Sequence, residues 1–196
     1  MKMENSNIEK GEHYREVDVV SFEAAVEYLK EETDVNESKF CLVDIDGTLF
    51  SDDLLKLPII SHFISPTISE SVKDSFCTLV GDVFVNENVA IVTNRNNFER
   101  VFWNSDKILR HVRELCDVPV FTSLNRQLPG LNKKGCDNLH CKIMEYVQER
   151  EDLTIYSVED HSFASPFRSH FLEYMAKRVS KEDSIDVRIV NLVIKR

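Results

Sequence analysis

Short, continuous runs of apolar residues recur along the chain, separated by longer stretches in which apolar and polar residues mix. Runs of this length with no polar alternation are typical of strands that are covered on both faces of a sheet. The runs that we predict as strands are Phe40–Ile45, Val89–Thr93, Val118–Thr122 and Leu153–Val158, with a longer β-rich run at Ile185–Ile194.

Apolar residues at helical spacing predict helices between these strands. Ser21 fits the N-cap of a helix that continues to Lys30. Further helices are expected over Phe98–Leu115, Leu139–Val147 and Phe167–Val179, irregular helical turns broken by Pro58 and Pro66 over 50–80, and a loop over Gln127–Gly135.

Alternating strands and helices predict an α/β fold: a three-layer, Rossmann-like parallel sheet with helices on both faces. Ligands of such sheets bind beyond the carboxyl ends of the strands. The strands that end at Asp44, near Thr93 and near Glu159 are therefore expected to converge on one site.

The 196 residues, 42% of them apolar, suffice for one substantial domain. We predict a flexible, polar N-terminus over residues 1–16 and a single domain over 17–196, which would also fit one part of a longer protein. No run of about 18 apolar residues occurs, which argues against a membrane span. The net charge of −10 repels nucleic acids and anionic membranes on average.

The five cysteines are an odd number without Cys-x-x-Cys spacing, which favours reduced thiols and a cytoplasmic location. Cys136 and Cys141, with His140 between them, do not have the spacing of common structural zinc sites. We therefore expect no zinc there.

The residues 42–49 read Leu-Val-Asp-Ile-Asp-Gly-Thr-Leu and place two carboxylates at the exit of an apolar strand. Asp44 and Asp46 would lie on the same side of an extended strand, where like charges cost free energy unless a cation neutralises them. A hard cation that binds oxygen ligands, most simply Mg²⁺, would neutralise the two carboxylates. The pair predicts chemistry on an anionic substrate such as a phosphate.

This octet resembles the first motif, Asp-x-Asp-x-Thr, of the haloacid dehalogenase superfamily. The resemblance implies that Asp44 is the nucleophile that takes the phosphoryl group and that Asp46 is the general acid and base. Because the dehalogenases lack the second aspartate, its presence points to a phosphatase or phosphotransferase, and so to a hydrolase that forms an aspartyl-phosphate.

Two further segments resemble motifs of the same superfamily, in the family's order. Thr93, with Asn94 and Arg95, resembles the second motif, which would bind the substrate's phosphoryl oxygens; Arg95 is similar to the arginine of polynucleotide-end phosphatases. Glu159 and Asp160 resemble the acidic fourth motif, which would bind Mg²⁺ together with Asp44 and Asp46. A glutamate at position 159 leaves open which of the two later acids touches the ion.

The superfamily's third motif is a lysine near the start of a helix, and three lysines compete for it. Lys142 is our first choice, because its distance from Glu159 resembles the layout of RNA-repair phosphatases, where the lysine lies in the first helical turn. Lys134, followed by Gly135, resembles the form found in sugar-phosphate phosphatases and is the second choice as a substrate-binding residue. Lys133 is adjacent to it.

Asp44 and Thr93 are 49 positions apart, too few for a large cap domain in addition to the core elements. The family resemblance then implies minimal or no cap and an open site for a phosphorylated macromolecule. The acidic composition favours a phosphoprotein, carrying phosphotyrosine or phosphoserine and phosphothreonine. Arg95 and the Lys142 layout favour a polynucleotide 3′-end instead, and a catalytically weak binding or regulatory module is a further alternative.

Overall fold

The computed structural model describes residues 13–34, 37–45, 47–50, 67–93, 112, 118–121, 133–147, 151–160, 177, 179–180 and 185–195. Within these residues the elements in chain order are β1 (Tyr14–Val19), α1 (Phe22–Glu32), β2 (Lys39–Asp44), α2 (Glu70–Thr78), β3 (Val89–Val92), β4 (Val120–Phe121), α3 (Lys133–Val147), β5 (Asp152–Asp160) and β6 (Asp186–Ile194). A π-helical turn, Leu79–Val83, continues α2. None of the described helices is long and apolar enough to cross a membrane.

The six described strands form one sheet in the order β1-β6-β5-β2-β3-β4, and every neighbouring pair is parallel. The predicted α/β fold with a parallel sheet is therefore confirmed. From β2 the chain moves outward through β3 to β4, and it then returns to the other side of β2 to form β5 and β6. The strand order thus reverses between β2 and β5, and in sheets of this kind ligands bind at that point, outside the carboxyl ends of the strands.

Alternate strand residues belong to two buried clusters, as expected when side chains alternate along a strand. Cys41 and Val43 of β2 belong to the first cluster, which also contains the buried residues of α1 and α2. Phe40 and Leu42 belong to the second cluster, which contains the buried residues of α3. Both sides of the central strand are buried, which explains why its sequence is continuously apolar.

Helix α1 begins where the sequence predicts. The Ala24 N–H donates to Ser21 Oγ (3.2 Å), which makes Ser21 the N-cap. The ring of Phe22 stacks on Phe76 of α2 with 6.2 Å between centroids, and Ser71 Oγ donates to Glu23 (2.8 Å). These contacts join the segment after residue 69 to α1.

Most predicted strands are confirmed with small shifts in their bounds, whereas several predicted helices lie outside the described residues. The predicted strand Val118–Thr122 is shorter, because only Val120 and Phe121 pair with β3. Of the helix predicted over Phe98–Leu115 only Val112 is described, and the segments 51–66 and 161–176 are also outside the description.

The prediction of a flexible segment through residue 16 is wrong for residues 14–16. They belong to β1, an edge strand that pairs with β6 in the register Tyr14↔Ile189 to Val19↔Ile194. The sequence of β1 does not show a continuous apolar run, because it contains the charged residues Arg15, Glu16 and Asp18. They are tolerated because an edge strand exposes part of its surface, while Val17 and Val19 are buried.

The prediction of a loop through Gly135 is wrong for residues 133–135, because α3 begins at Lys133. Gly135 does not prevent this helix, because one glycine in a helix costs only about 1 kcal/mol relative to alanine. Lys142 is consequently the tenth residue of the helix. The expected layout, with this lysine in the first helical turn, is therefore wrong.

The direction of α3 follows from its place between two parallel strands. A connection between β4 and β5 must bring the chain back from the carboxyl end of the sheet to its amino end. The last turn of α3 accordingly lies at the start of β2, where the Lys39 N–H donates to the Tyr146 hydroxyl (3.2 Å) and the rings of Phe40 and Tyr146 are 5.8 Å apart. The first turn of α3 therefore lies toward the carboxyl end of the sheet.

Candidate active site

The turn after β2 is held in place by its own buried residues. The N–H groups of Leu49 and Phe50 both donate to the Ile45 carbonyl (3.1 and 3.2 Å), and the Gly47 N–H donates to the Phe50 carbonyl (2.9 Å). Ile45, Leu49 and Phe50 are buried in the first cluster. The turn that follows Asp44 is thus anchored to the core.

Gly47 is the residue of this turn that approaches β5. Its φ of +79° lies in the left-handed region that favours glycine. A Cβ built on Gly47 would overlap the side chain of Asp160, with the carboxylate oxygen Oδ2 as the nearest atom. The last residue of β5 therefore packs directly against the backbone of the turn that follows β2.

Asp44, the last residue of β2, lies next to Glu159, the residue before the last of β5. Val43 pairs with Val158 in the sheet register, and each acid is the next residue of its strand. Alternation places Asp44 with Leu42 on the side of the second cluster, and Glu159 on that side as well. Asp44 is partly exposed, whereas Glu159 is only 2% exposed.

Thr93 directly follows β3, the third strand that ends at this edge of the sheet. Val92 is in register with Asp44, and Thr93 follows it with 1% of its surface exposed. The Thr93 N–H donates to the Phe121 carbonyl of β4 (3.0 Å). The structure therefore brings together the strand ends that carry Asp44, Thr93, Glu159 and Asp160, as the strand pattern predicts.

Several predicted site residues lie outside what the structure describes. Asp46, Asn94 and Arg95 are not among the described residues. The backbone of Lys134 belongs to the first turn of α3, but its side chain is outside the description, as is that of Lys133. Lys142 is described and half-buried in the third turn of the same helix.

Sequence reasoning missed two residues that lie beside the acidic pair. Asn191 of β6 donates from Nδ2 to Glu159 Oε1 (2.7 Å), and its side chain also forms a hydrogen bond with Tyr14 of β1. The pKa of Tyr14 is raised to about 12, first by burial and then by the nearby carboxylates of Glu16 and Glu159. The signal was an asparagine inside the apolar strand β6, because a buried amide requires hydrogen-bond partners.

The donor chemistry of this edge suits a hard divalent cation. Asp44 and Asp160 offer carboxylate oxygens from β2 and β5, the two strands between which the strand order reverses, and Mg²⁺ is bound in proteins through one or two carboxylates. Among the described residues no three His, Cys, Asp or Glu side chains form a group that could hold a metal ion; Asp46 lies outside that set. The Asp160 carboxylate lies against the Gly47 turn, so carboxylates from β2 and β5 are present at the same edge of the sheet.

Comparisons of this chain with protein-family models, with curated proteins and with solved structures find no match. The assignment of a function therefore depends on the motifs and on the geometry of the site.

We predict that Gly47→Ala destabilises the protein, because alanine at a left-handed φ costs about 1–2 kcal/mol and its methyl group would displace the Asp160 carboxylate. The melting temperature should fall by roughly 4 °C or more, measured by differential scanning calorimetry. Gly81→Ala is the matched control, since nothing lies within 4 Å of a Cβ there, and it should leave the melting temperature unchanged or slightly higher. Equal effects of the two substitutions would contradict the close contact.

Proposed function

We propose that this chain is a Mg²⁺-dependent phosphomonoesterase of the haloacid dehalogenase type that acts through an aspartyl-phosphate. The observation that carries the proposal is the contact between Gly47 and Asp160, which joins the first and fourth motifs at the crevice between β2 and β5. A charged turn without a function would not require acids from two strands that are distant in sequence to meet at the ligand-binding edge of the sheet.

The proposed reaction begins with Asp44. Its carboxylate attacks the phosphorus, the bond from phosphorus to the leaving alcohol oxygen breaks, and Asp46 gives that oxygen a proton. Water then attacks the phosphorus of the aspartyl-phosphate while Asp46 takes a proton from it, which releases phosphate and restores Asp44. Carboxylates are suited both to this nucleophilic role and to the proton transfer.

Asp44, the backbone carbonyl of Asp46 and one of the later acids would hold Mg²⁺, which spreads the negative charge of the phosphoryl group when it is bound. Asp160 is the better candidate of the later pair, because its carboxylate lies against the β2 turn, whereas Glu159 Oε1 already accepts a hydrogen bond from Asn191 on the far side of β5. Thr93, at the end of the adjacent strand, would hold phosphoryl oxygens.

The geometry of α3 favours Lys134 over Lys142 as the lysine that meets the phosphoryl group. Tyr146 lies level with Lys39, and Asp44 is about 16 Å farther along β2 at about 3.3 Å per residue. The helix rises about 1.5 Å per residue, so about eleven residues of α3 cover the same distance. The residue level with Asp44 is therefore about eleven positions before Tyr146, next to Lys134. By the same rise, Lys142 is only about 6 Å from the level of Tyr146 along the helix. It therefore lies well short of the level of Asp44, nearer the end of the sheet where β2 begins.

An open site with minimal or no cap fits the described core. The helix that begins at Glu70 packs on α1, so only residues 51–66 remain between the β2 turn and this part of the core. A stretch of that size is well below the roughly 40 residues that an independent folding unit needs without other support. A macromolecular phosphate could reach such a site.

A phosphoprotein is the substrate class that we favour. The net charge of −10 disfavours the close approach of a polyanion such as a nucleic acid. A single phosphorylated side chain carries less charge, and its phosphate would be neutralised at the site itself. Three substrate sets separate the possibilities: phosphotyrosine peptides, phosphoserine peptides and oligonucleotides with a 3′-phosphate.

We predict that Asp44→Asn lowers the release of phosphate from para-nitrophenyl phosphate by on the order of 1,000-fold or more, because an amide is a poor nucleophile toward phosphorus. Asp152→Asn is the matched control, an exposed acid at the opposite end of β5, and it should keep wild-type activity. EDTA should abolish turnover and added Mg²⁺ should restore it. Full activity of Asp44→Asn, or indifference to EDTA, would contradict the proposal, and a wild type without turnover on any substrate would favour a binding module.

We predict that Lys134→Ala lowers kcat by about 100-fold, the usual cost of removing one group that stabilises the charge of a transition state. Lys142→Ala should stay within about twofold of wild type, because its helical position is remote from Asp44. Steady-state kinetics with saturating Mg²⁺ measure both, with Lys133→Ala to distinguish the neighbouring lysine. A loss confined to Lys142→Ala would instead support the layout of the RNA-repair phosphatases.

A further inference from the structure

Asn191 is a buried polar residue in the middle of an apolar strand, between Val190 and Leu192. Only 2% of its surface is exposed, and its Nδ2 lies 2.7 Å from Glu159 Oε1. A buried carboxylate is costly unless donors satisfy it, so this hydrogen bond stabilises Glu159 in its observed position. Asn191 also draws the Glu159 side chain toward β6, away from β2.

Tyr14 extends this network to the edge strand β1. Its side chain forms a hydrogen bond with Asn191, and its hydroxyl lies 3.5 Å from Glu16 Oε2. The pKa of Tyr14 is raised to about 12, first by burial, so the phenol keeps its proton at neutral pH and donates it to Glu16. The phenol oxygen accepts from the Asn191 amide, since that hydrogen bond lowers the pKa of Tyr14, and Asn191 Oδ1 has no hydrogen-bond partner within the described residues. Tyr14, Asn191 and Glu159 thus connect three neighbouring strands, β1, β6 and β5.

The network ends next to the crevice. Glu159 is followed by Asp160, whose carboxylate contacts the Gly47 turn. A change in the position of the Glu159 side chain would alter the end of β5 and with it the position of Asp160. Ser157 lies on the same side of β5, in register with Asn191, but its Oγ has no hydrogen-bond partner within the described part of the chain.

We propose that Asn191, supported by Tyr14, is a positioning residue that fixes Glu159 and thereby sets the affinity of the crevice for a divalent cation. The inference deepens the proposed function and rests on it. It gives the N-terminal strand β1 a role in the site, since Tyr14 is the first residue of that strand. Residues that orient the ligands of a metal typically change its affinity by about 10- to 100-fold when they are replaced, and we expect the lower end of that range because Asn191 acts through Glu159, the neighbour of the candidate ligand Asp160.

The test is a calorimetric titration of the full chain with MgCl₂ alone, together with the shift in melting temperature that Mg²⁺ causes. Asn191→Leu keeps the approximate volume but removes the donor, and it should raise the Mg²⁺ Kd by about 10-fold or more. Ser157→Ala, the matched control, should leave the Kd unchanged. Tyr14→Phe removes only a hydroxyl, should raise the Kd at least about twofold, and serves as the test if Asn191→Leu does not fold.

A double-mutant cycle distinguishes positioning from a general loss of stability. If Asn191 acts through Glu159, Asn191→Leu should add less than about twofold to the Kd in a Glu159→Gln background. Fully additive effects, or a Kd for Asn191→Leu equal to that of Ser157→Ala, would overturn the inference. Only this inference is refuted if the wild type binds Mg²⁺ and releases phosphate and Asn191→Leu binds Mg²⁺ equally well. The proposed function is refuted if the wild type neither binds Mg²⁺ nor releases phosphate.

Discussion

The close approach of the Gly47 backbone to the Asp160 carboxylate is the constraint on which the candidate site depends. A side chain at position 47 would fill the space that the carboxylate occupies, and the turn that follows β2 would have to move away from β5. The left-handed φ of Gly47 allows the chain to turn immediately after Asp44. Acids from two strands can then lie at one crevice, which is favourable only if a cation or a donor offsets their charges.

The topology of the sheet explains why the crevice lies there. The connection that follows β2 and the connection that precedes β5 lie on opposite faces of the sheet. The helix α2 packs in the first buried cluster and α3 packs in the second. Neighbouring strands whose connections diverge leave a gap at their carboxyl ends. The buried residues of the β2 turn fix one wall of this gap, and the paired end of β5, bordered by β6, fixes the other.

The central strands and α1 could be predicted from the sequence because their signals are local. Continuous apolar runs marked β2, β3 and β5, and Ser21 marked the start of α1. Strand β1 was missed because its three charged residues belong to an edge position that only the partner β6 defines. The start of α3 was missed because the apolar positions at helical spacing begin only at Leu139, six residues after the helix starts. Asn191 was missed because its partner Glu159 is 32 residues away.

The central claim is that Asp44 and Asp160 share one divalent cation at the crevice between β2 and β5. Anomalous diffraction from crystals grown with Mn²⁺ tests it most directly, because Mn²⁺ prefers the same carboxylate and water ligands as Mg²⁺. The account predicts an anomalous peak within about 2.6 Å of a carboxylate oxygen of each of these two residues. Full occupancy of Mn²⁺ elsewhere, with no peak between Asp44 and Asp160, would contradict it.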